Sequence, residues 1–187
     1  MTRKFLYFYI FLFFILFIFG GFFVGNRKLN KINIVSEPTP IAQQINENII
    51  LAKVIRVVDG DTIKVLINNK ESTVRLIGID APEIVSPKMP AQCFGKEASD
   101  KAKEILSNKT VILESDPTQG DKDKYRRFLR YIFLDGLNFN KLMISEGYVH
   151  EYTYQNNHYK YIEEFKNAQK QARENKKGFW ADGVCSF

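Results

Sequence analysis

Two short segments place acids and a base where they could do joint chemistry. Asp59-Gly60-Asp61-Thr62 is the first, and Arg75-Leu76-Ile77-Gly78-Ile79-Asp80-Ala81-Pro82-Glu83 is the second. Hard carboxylates with main-chain carbonyls nearby suit Ca2+, with water completing the shell. Two Cys and two His are too few for a thiolate cage, which disfavours zinc, copper and iron–sulfur sites. Arg75 can grip an anion through a planar pair of N–H groups. Pro82 stiffens the chain just before Glu83, where a base could be aimed.

A second cluster, Asp123-Lys124-Tyr125-Arg126-Arg127, gathers three cations and a tyrosine in a loop able to face phosphate. A third feature is Tyr152-Thr153-Tyr154, whose rings could stack on a nucleobase. Taken singly, each has a plainer reading. Asp59-Gly60 is foremost a hairpin turn, Arg75 a snorkelling strand residue, Lys124 to Arg127 a solvated charge run, and the tyrosines packing groups. His150 and His158 have no partner pattern and read as structural or surface residues. Cys93 and Cys185 suggest one disulfide pinning the C-terminal tail. Closing a loop of that length would stabilise by about 4–5 kcal/mol on the chain-entropy account.

Elements must bring these groups together. Ile50–Val58 is a β-branched run, Thr62–Ile67 alternates, and Thr73–Ile79 follows a turn at residues 68–71. Three strands with tight turns make an antiparallel meander. Gly95–Leu106 has helical spacing, Thr110–Glu114 and Leu129–Leu134 read as strands, and Asn138–Glu146 is a short helix stopped by Gly147. A short strand is expected at Tyr148–Val149. His158–Glu174 is an amphipathic helix capped by Gly178. The order β-β-β-α-β-β-α-α predicts an α+β fold, a five-stranded OB-type barrel with about three helices. Such a barrel by itself leaves function open.

With the motifs set out, the sequence resembles the staphylococcal nuclease (thermonuclease) family from about Leu51 to Trp180. It carries DGDT, Ile63, a fixed gap to Arg75, and D-x-P-E. The second signature, DKY-x-R-x-L, is matched by Asp123, Lys124, Tyr125, Arg127 and Leu129. The resemblance implies a Ca2+-dependent phosphodiesterase acting on DNA and RNA, single-stranded or unpaired by preference. Asp61 and Asp80 would be calcium ligands, and Ala81 would add its main-chain carbonyl. Glu83 would be the general base, Arg75 and Arg127 the phosphate-binding pair, and Lys124 and Tyr125 neighbours of the terminal phosphate. Tyr152 and Tyr154 match the base-pocket tyrosines if one residue is deleted after Gly147. The chain departs from the family pattern at Arg126 and Arg130, where a glycine and a small residue are more usual. A positive φ at Arg126 would carry strain that glycine avoids.

The N-terminal part has a different character. Nine of the sixteen Phe lie in residues 1–24, and residues 5–24 contain no charge. Twenty helical residues span about 30 Å, the thickness of a hydrocarbon core. We expect residues 1–24 to be a transmembrane signal anchor rather than a cleaved signal peptide, since the run is long and lacks an A-x-A-like site. Residues 25–49 read as a flexible linker and residues 50–187 as the folded domain. That domain would lie outside the membrane, tethered through residues 5–24 or secreted after cleavage, and monomeric. The net charge of +6 divides equally between residues 1–49 and the rest. The domain is therefore no polybasic nucleic-acid coat. Two other function classes compete with a nuclease: a non-catalytic OB-fold module that binds nucleic acid, and a structural anchor protein. A module that only binds would be expected to lack some of the carboxylates or arginines present here.

Overall fold

The computed structural model describes residues 48–84 and 90–185. The expected anchor and nearly all of the expected linker lie outside the described residues.

β1 (Ile49–Val57), β2 (Thr62–Ile67) and β3 (Lys70–Leu76) form an antiparallel meander. β1 also pairs with β5 (Thr110–Glu114), and β5 with β6 (Phe128–Leu134), both antiparallel. A parallel pairing of β3 with β6 closes the five strands into a barrel. Closure leaves these strands no long unpaired edge. The barrel and its helices are those expected from the sequence. Three helices join it: α1 (Gly95–Leu106), α2 (Phe139–Ser145) and α3 (Ile162–Glu174).

Inward positions follow the pleat. In β1 Ala52 and Val54 are buried, and Val57 rather than residue 56 comes next. The step of three arises at a β-bulge between Val54 and Arg56, where one extra residue shifts the alternation. Val65, Val74, Val111, Leu113 and Ile132 complete the barrel interior. α1 turns Ala98, Ala102 and Leu106 inward, and α3 turns Ile162, Phe165, Ala168 and Ala172 inward, both at helical spacing.

Four boundaries differ from the sequence expectation. Asn68 and Asn69 both adopt positive φ, so a two-residue hairpin turn suffices and β3 starts at Lys70. The third strand does not run through to Ile79. Gly78, at φ +76°, turns the chain, and a separate short strand β4 (Ile79–Asp80) follows. A Cβ at Gly78 would lie 2.7 Å from the Tyr159 ring, so glycine serves both space and φ there. The strand expected at Tyr148–Val149 falls at His150–Glu151 (β8) and pairs with β4. The last helix starts at Ile162, after a 3-10 turn at Tyr154–Asn156. β7 (Leu137–Asn138) pairs back on β6, and the Asn138 side chain caps α2.

Two buried polar residues join these layers. Asn140 donates to the Ile77 carbonyl at 2.9 Å and accepts from Ile132 N–H at 3.0 Å, which ties the β3–β4 corner to β6. The Asp116 carboxylate accepts from Thr118, Tyr131 and Lys160.

Candidate active site

Arg75 sits near the end of β3, paired with Thr62 on one side and Leu129 on the other. Its Nη1 donates to the carbonyls of Ile79 (2.7 Å) and Leu76 (3.0 Å). Its Nη2 lies 2.8 Å from Asp80 Oδ1 and 3.2 Å from Asp61 Oδ2. The guanidinium is thus locked against backbone and shared by two carboxylates. Asp61 is held from several sides. Its Oδ1 accepts from Thr62 Oγ1 (2.9 Å) and its Oδ2 from the Ala81 N–H (2.7 Å). The Leu76 N–H also donates to the Asp61 carbonyl at 2.9 Å. The β1–β2 turn is therefore sewn to the β3–β4 corner, and Asp61, Arg75, Asp80 and Ala81 meet there. Gly60 permits this approach, because a Cβ there would fall 2.8 Å from that of Ala81.

Asp59 is the residue that sequence reasoning undervalued. It does form the expected turn, accepting from the Asp61 N–H at 3.0 Å. Yet burial, together with the neighbouring Asp61 charge, pushes its carboxyl up to about 7. Burial also raises Asp80, with Arg75 opposing and Asp61 and Glu83 adding to the rise. The signal was present in the D-G-D spacing, which forces two carboxylates onto one tight turn.

Burial is the main cause of both shifts, and the crowding of carboxylates around Arg75 adds to it. Asp61 and Asp80 converge on one cationic nitrogen, and all their donor atoms are hard oxygen. The arrangement fits a divalent cation such as Ca2+ held by Asp61 and Asp80. Ala81 stands beside them, its N–H already committed to Asp61. Among the described residues no group of three or more His, Cys, Asp or Glu is arranged around a common metal position. Water or substrate oxygens would therefore supply the remaining ligands.

Glu83 follows on an exposed loop. Its N–H donates to Gln92 Oε1 at 2.9 Å, and its carbonyl accepts from the Gln92 N–H at 2.8 Å. Neither Gln92 nor its neighbour Gly95 was singled out from sequence. Cys93 and Cys185 form the expected disulfide, with Cα atoms 5.9 Å apart.

The second cluster is a self-contained loop entering β6. Asp123 organises it: Oδ1 accepts from the N–H groups of Tyr125 and Arg127 (both 2.9 Å), and Oδ2 from Arg127 Nε (2.7 Å). The Arg127 guanidinium and Lys124 both lie over the Tyr125 ring, which is 68% exposed. Among the described residues no hydrogen bond or ion pair joins this loop to Arg75. The β3–β6 pairing puts Leu129 opposite Arg75, and Arg127 lies two residues before Leu129 in the chain. Arg130, where a small residue was more usual, is buried and salt-bridged to Asp121 at 2.5 Å. It also donates to the Asp121 carbonyl, which fastens the start of the loop to the barrel.

Arg126 stands at φ +67°, the strained conformation anticipated from its place in the loop. Its side chain is exposed. Arg126→Gly is expected to stabilise the chain by roughly 0.5 kcal/mol, the relief of left-handed strain exceeding the added freedom of the unfolded chain. Denaturant unfolding of the two proteins checks this, and a destabilised variant would contradict it.

Tyr152 and Tyr154 are both exposed, with ring centroids 6.5 Å apart. The Tyr152 N–H donates to the Gly78 carbonyl, and β8 just before it pairs with Asp80. The Tyr152 backbone is therefore tied to the corner that carries Asp80. His150 packs against the Phe179 and Trp180 rings, and burial with the nearby Arg173 charge lowers its pKa. This fits the structural role expected for it.

Residues 73–182 match the family described as Staphylococcal nuclease homologue. The chain is 44% identical over 147 residues to a thermonuclease of Staphylococcus hyicus, covering 79% of this chain and 85% of that protein. It is 41% identical over 125 residues to a thermonuclease of Staphylococcus intermedius, covering 67% and 73%. It is 38% identical over 128 residues to endonuclease YncB of Bacillus subtilis, covering 67% of this chain but only 59% of that protein.

Proposed function

The chain belongs to the family of staphylococcal nuclease homologues, and from that premise we propose that it is a Ca2+-dependent nuclease hydrolysing phosphodiester bonds in DNA and RNA. The observation that carries the reading is the shared grip of Arg75 on Asp61 and Asp80, beside a loop that bears Glu83.

Asp61, Asp80 and the Ala81 carbonyl would hold the calcium ion, which when bound supplies positive charge against a phosphate oxygen. The protein's own groups do the rest. Glu83 at its carboxylate accepts the proton of the attacking water. A carboxylate of ordinary basicity is a weak base at neutral pH, so its placement matters more than its strength. Arg75 and Arg127 donate N–H groups to the oxygens on which charge accumulates. Arg75 is held by two carbonyls before substrate arrives, so little reorganisation is needed. Lys124 and Tyr125 bind the chain near a terminal phosphate. Tyr152 and Tyr154 stack on an unpaired base, which favours single strands.

The same reading includes export. Residues 5–24 would anchor the chain in a membrane with the nuclease domain outside, or be removed to release it. The enzyme would act as a monomer, with every group invoked on one chain.

The test is cleavage of a labelled single-stranded DNA by the full chain in detergent, in Ca2+ and in excess chelator, with Glu83→Gln alongside. Cleavage should need Ca2+ and fall by at least 100-fold in the variant, the scale of general-base loss. Tight DNA binding without cleavage in Ca2+ would sink the enzyme and favour a binding module.

A further inference from the structure

Glu83 is attached in an unusual way for a residue that must be placed accurately. Among the described residues both of its backbone hydrogen bonds go to Gln92, one to the Gln92 backbone and one to its side chain. The α1 start presses on the same spot. A Cβ at Gly95 would come within 2.8 Å of the carbonyl oxygens of Pro82 and Glu83. Cys93 follows Gln92 directly, and its disulfide joins this segment to the C-terminal tail at Cys185. A cavity of about 320 Å3 has Asp80, Ala81 and Pro82 in its wall together with Gln92, Cys93 and Cys185. The disulfide and the carboxylate site are therefore parts of one local structure.

We propose that Gln92 is a positioning residue for Glu83 and that the Cys93–Cys185 disulfide holds Gln92 in place, so the nuclease is redox-sensitive. The inference rests on Glu83 serving as base. With one hydrogen bond on each of the two peptide units that flank its Cα, Glu83 cannot swing, and its side chain inherits that placement. Losing one pin allows displacements of the order of 1 Å, enough to cost up to 100-fold in rate. Cys93 is exposed, so a small dithiol can reach the bond. Reduction breaks the Cys93–Cys185 S–S bond and forms one within the reagent. The reagent gives two electrons and two protons, leaving two thiols on the protein. A chain still in a reducing compartment would then hold its base loosely, and oxidation after export would tighten it.

The test uses the full chain in detergent, oxidised or treated with dithiothreitol, with Gln92→Met and Cys93→Ser/Cys185→Ser. Gln92→Met keeps the volume and removes the acceptor oxygen. It should lower kcat by roughly 10- to 100-fold with KM unchanged within about twofold. In the Glu83→Gln background it should cost nothing further, because the positioned group is gone. Exchange of the Glu83 amide, read by NMR, should rise about tenfold in Gln92→Met as its hydrogen bond is lost. It should also rise in the reduced protein and the double serine variant, while amides of β1 and β5 stay protected. Unchanged exchange at Glu83 in these proteins, or a full multiplicative cost in the double variant, would overturn the inference. The exchange measurement decides the matter even if the wild-type chain cleaves nothing, an outcome that would instead remove the proposed function.

Discussion

Arg75→Ala is expected to lower cleavage by about 100- to 1,000-fold, the usual scale for deleting one preorganised charge donor. It should also destabilise the protein, and the two losses can be separated. Arg75 is the cation shared by Asp61, which is 6% exposed, and Asp80, which is half open to solvent. Removing it leaves carboxylates facing one another across a corner where Asp59 is already pushed up to about 7. Breaking a fully buried pair costs roughly 3–5 kcal/mol, and the exposure of Asp80 places this one near 2–3. Calcium should restore part of that stability, because a bound cation again balances the carboxylates. Cleavage should not return, because calcium cannot replace donors aimed at the substrate. Arg75→Lys should recover most of the stability and little of the rate, since one ammonium cannot serve two carbonyls and two carboxylates together. Thermal unfolding with and without Ca2+, beside single-turnover cleavage, reads both effects. A variant cleaving within tenfold of wild type would remove Arg75 from the catalytic group.

Why the arginine could be found in the sequence, and the clamp on Glu83 could not, is a matter of range. Asp61, Arg75 and Asp80 lie on a meander whose pairing is local, so turn chemistry and alternation suffice to bring them together. α1 and β5 were legible for the same reason, because their apolar spacing is strong and unbroken. The structure departs from the expected boundaries where one or two residues of positive φ bend the chain. Gly78 ended β3 early, and the Asn68–Asn69 pair shortened a turn. Neither event changes hydrophobic periodicity. Gln92 touches Glu83 with no periodic apolar pattern in the sequence to announce it, and Asn140 reaches Ile77 across 63 positions. Contacts of that kind depend on the closed barrel. The β3–β6 pairing that closes it joins strands with α1 and two other segments between them. The role of Arg130 was hidden likewise: its charge is visible, but only the fold buries it against Asp121.

Asp116 is the clearest case of a residue that only the assembled structure explains, and it carries the second large prediction. It is 2% exposed, yet it is fully provided with donors. Oδ1 accepts from Thr118 N–H (2.9 Å) and Thr118 Oγ1 (2.7 Å), and Oδ2 from Tyr131 Oη and Lys160 N–H (both 2.7 Å). These bonds tie the end of β5 to β6 and to the turn before α3. Burial works against the ionised form, but hydrogen bonds from Lys160, Tyr131 and Thr118 outweigh it and hold the pKa below the ordinary value. Asp116→Asn puts an NH2 group against two donors whichever way it is turned. Tyr131 is fully buried and cannot reach water in compensation. With each unsatisfied buried group costing about 1–3 kcal/mol, we expect a loss of about 3 kcal/mol at neutral pH. For a domain of this size that is a fall in Tm of roughly 10 °C. The pH dependence has a definite sign. Because the folded pKa is depressed, the carboxylate's contribution is complete above the unfolded value near 3.9. It is lost as pH falls through the lower, folded value. The stability gap between wild type and Asp116→Asn should therefore be constant from about pH 7 to pH 5 and narrow below about pH 4. Denaturant unfolding of both proteins across that range measures the gap. A gap that stays constant into the acid range would mean that the donors do not favour the ionised carboxylate.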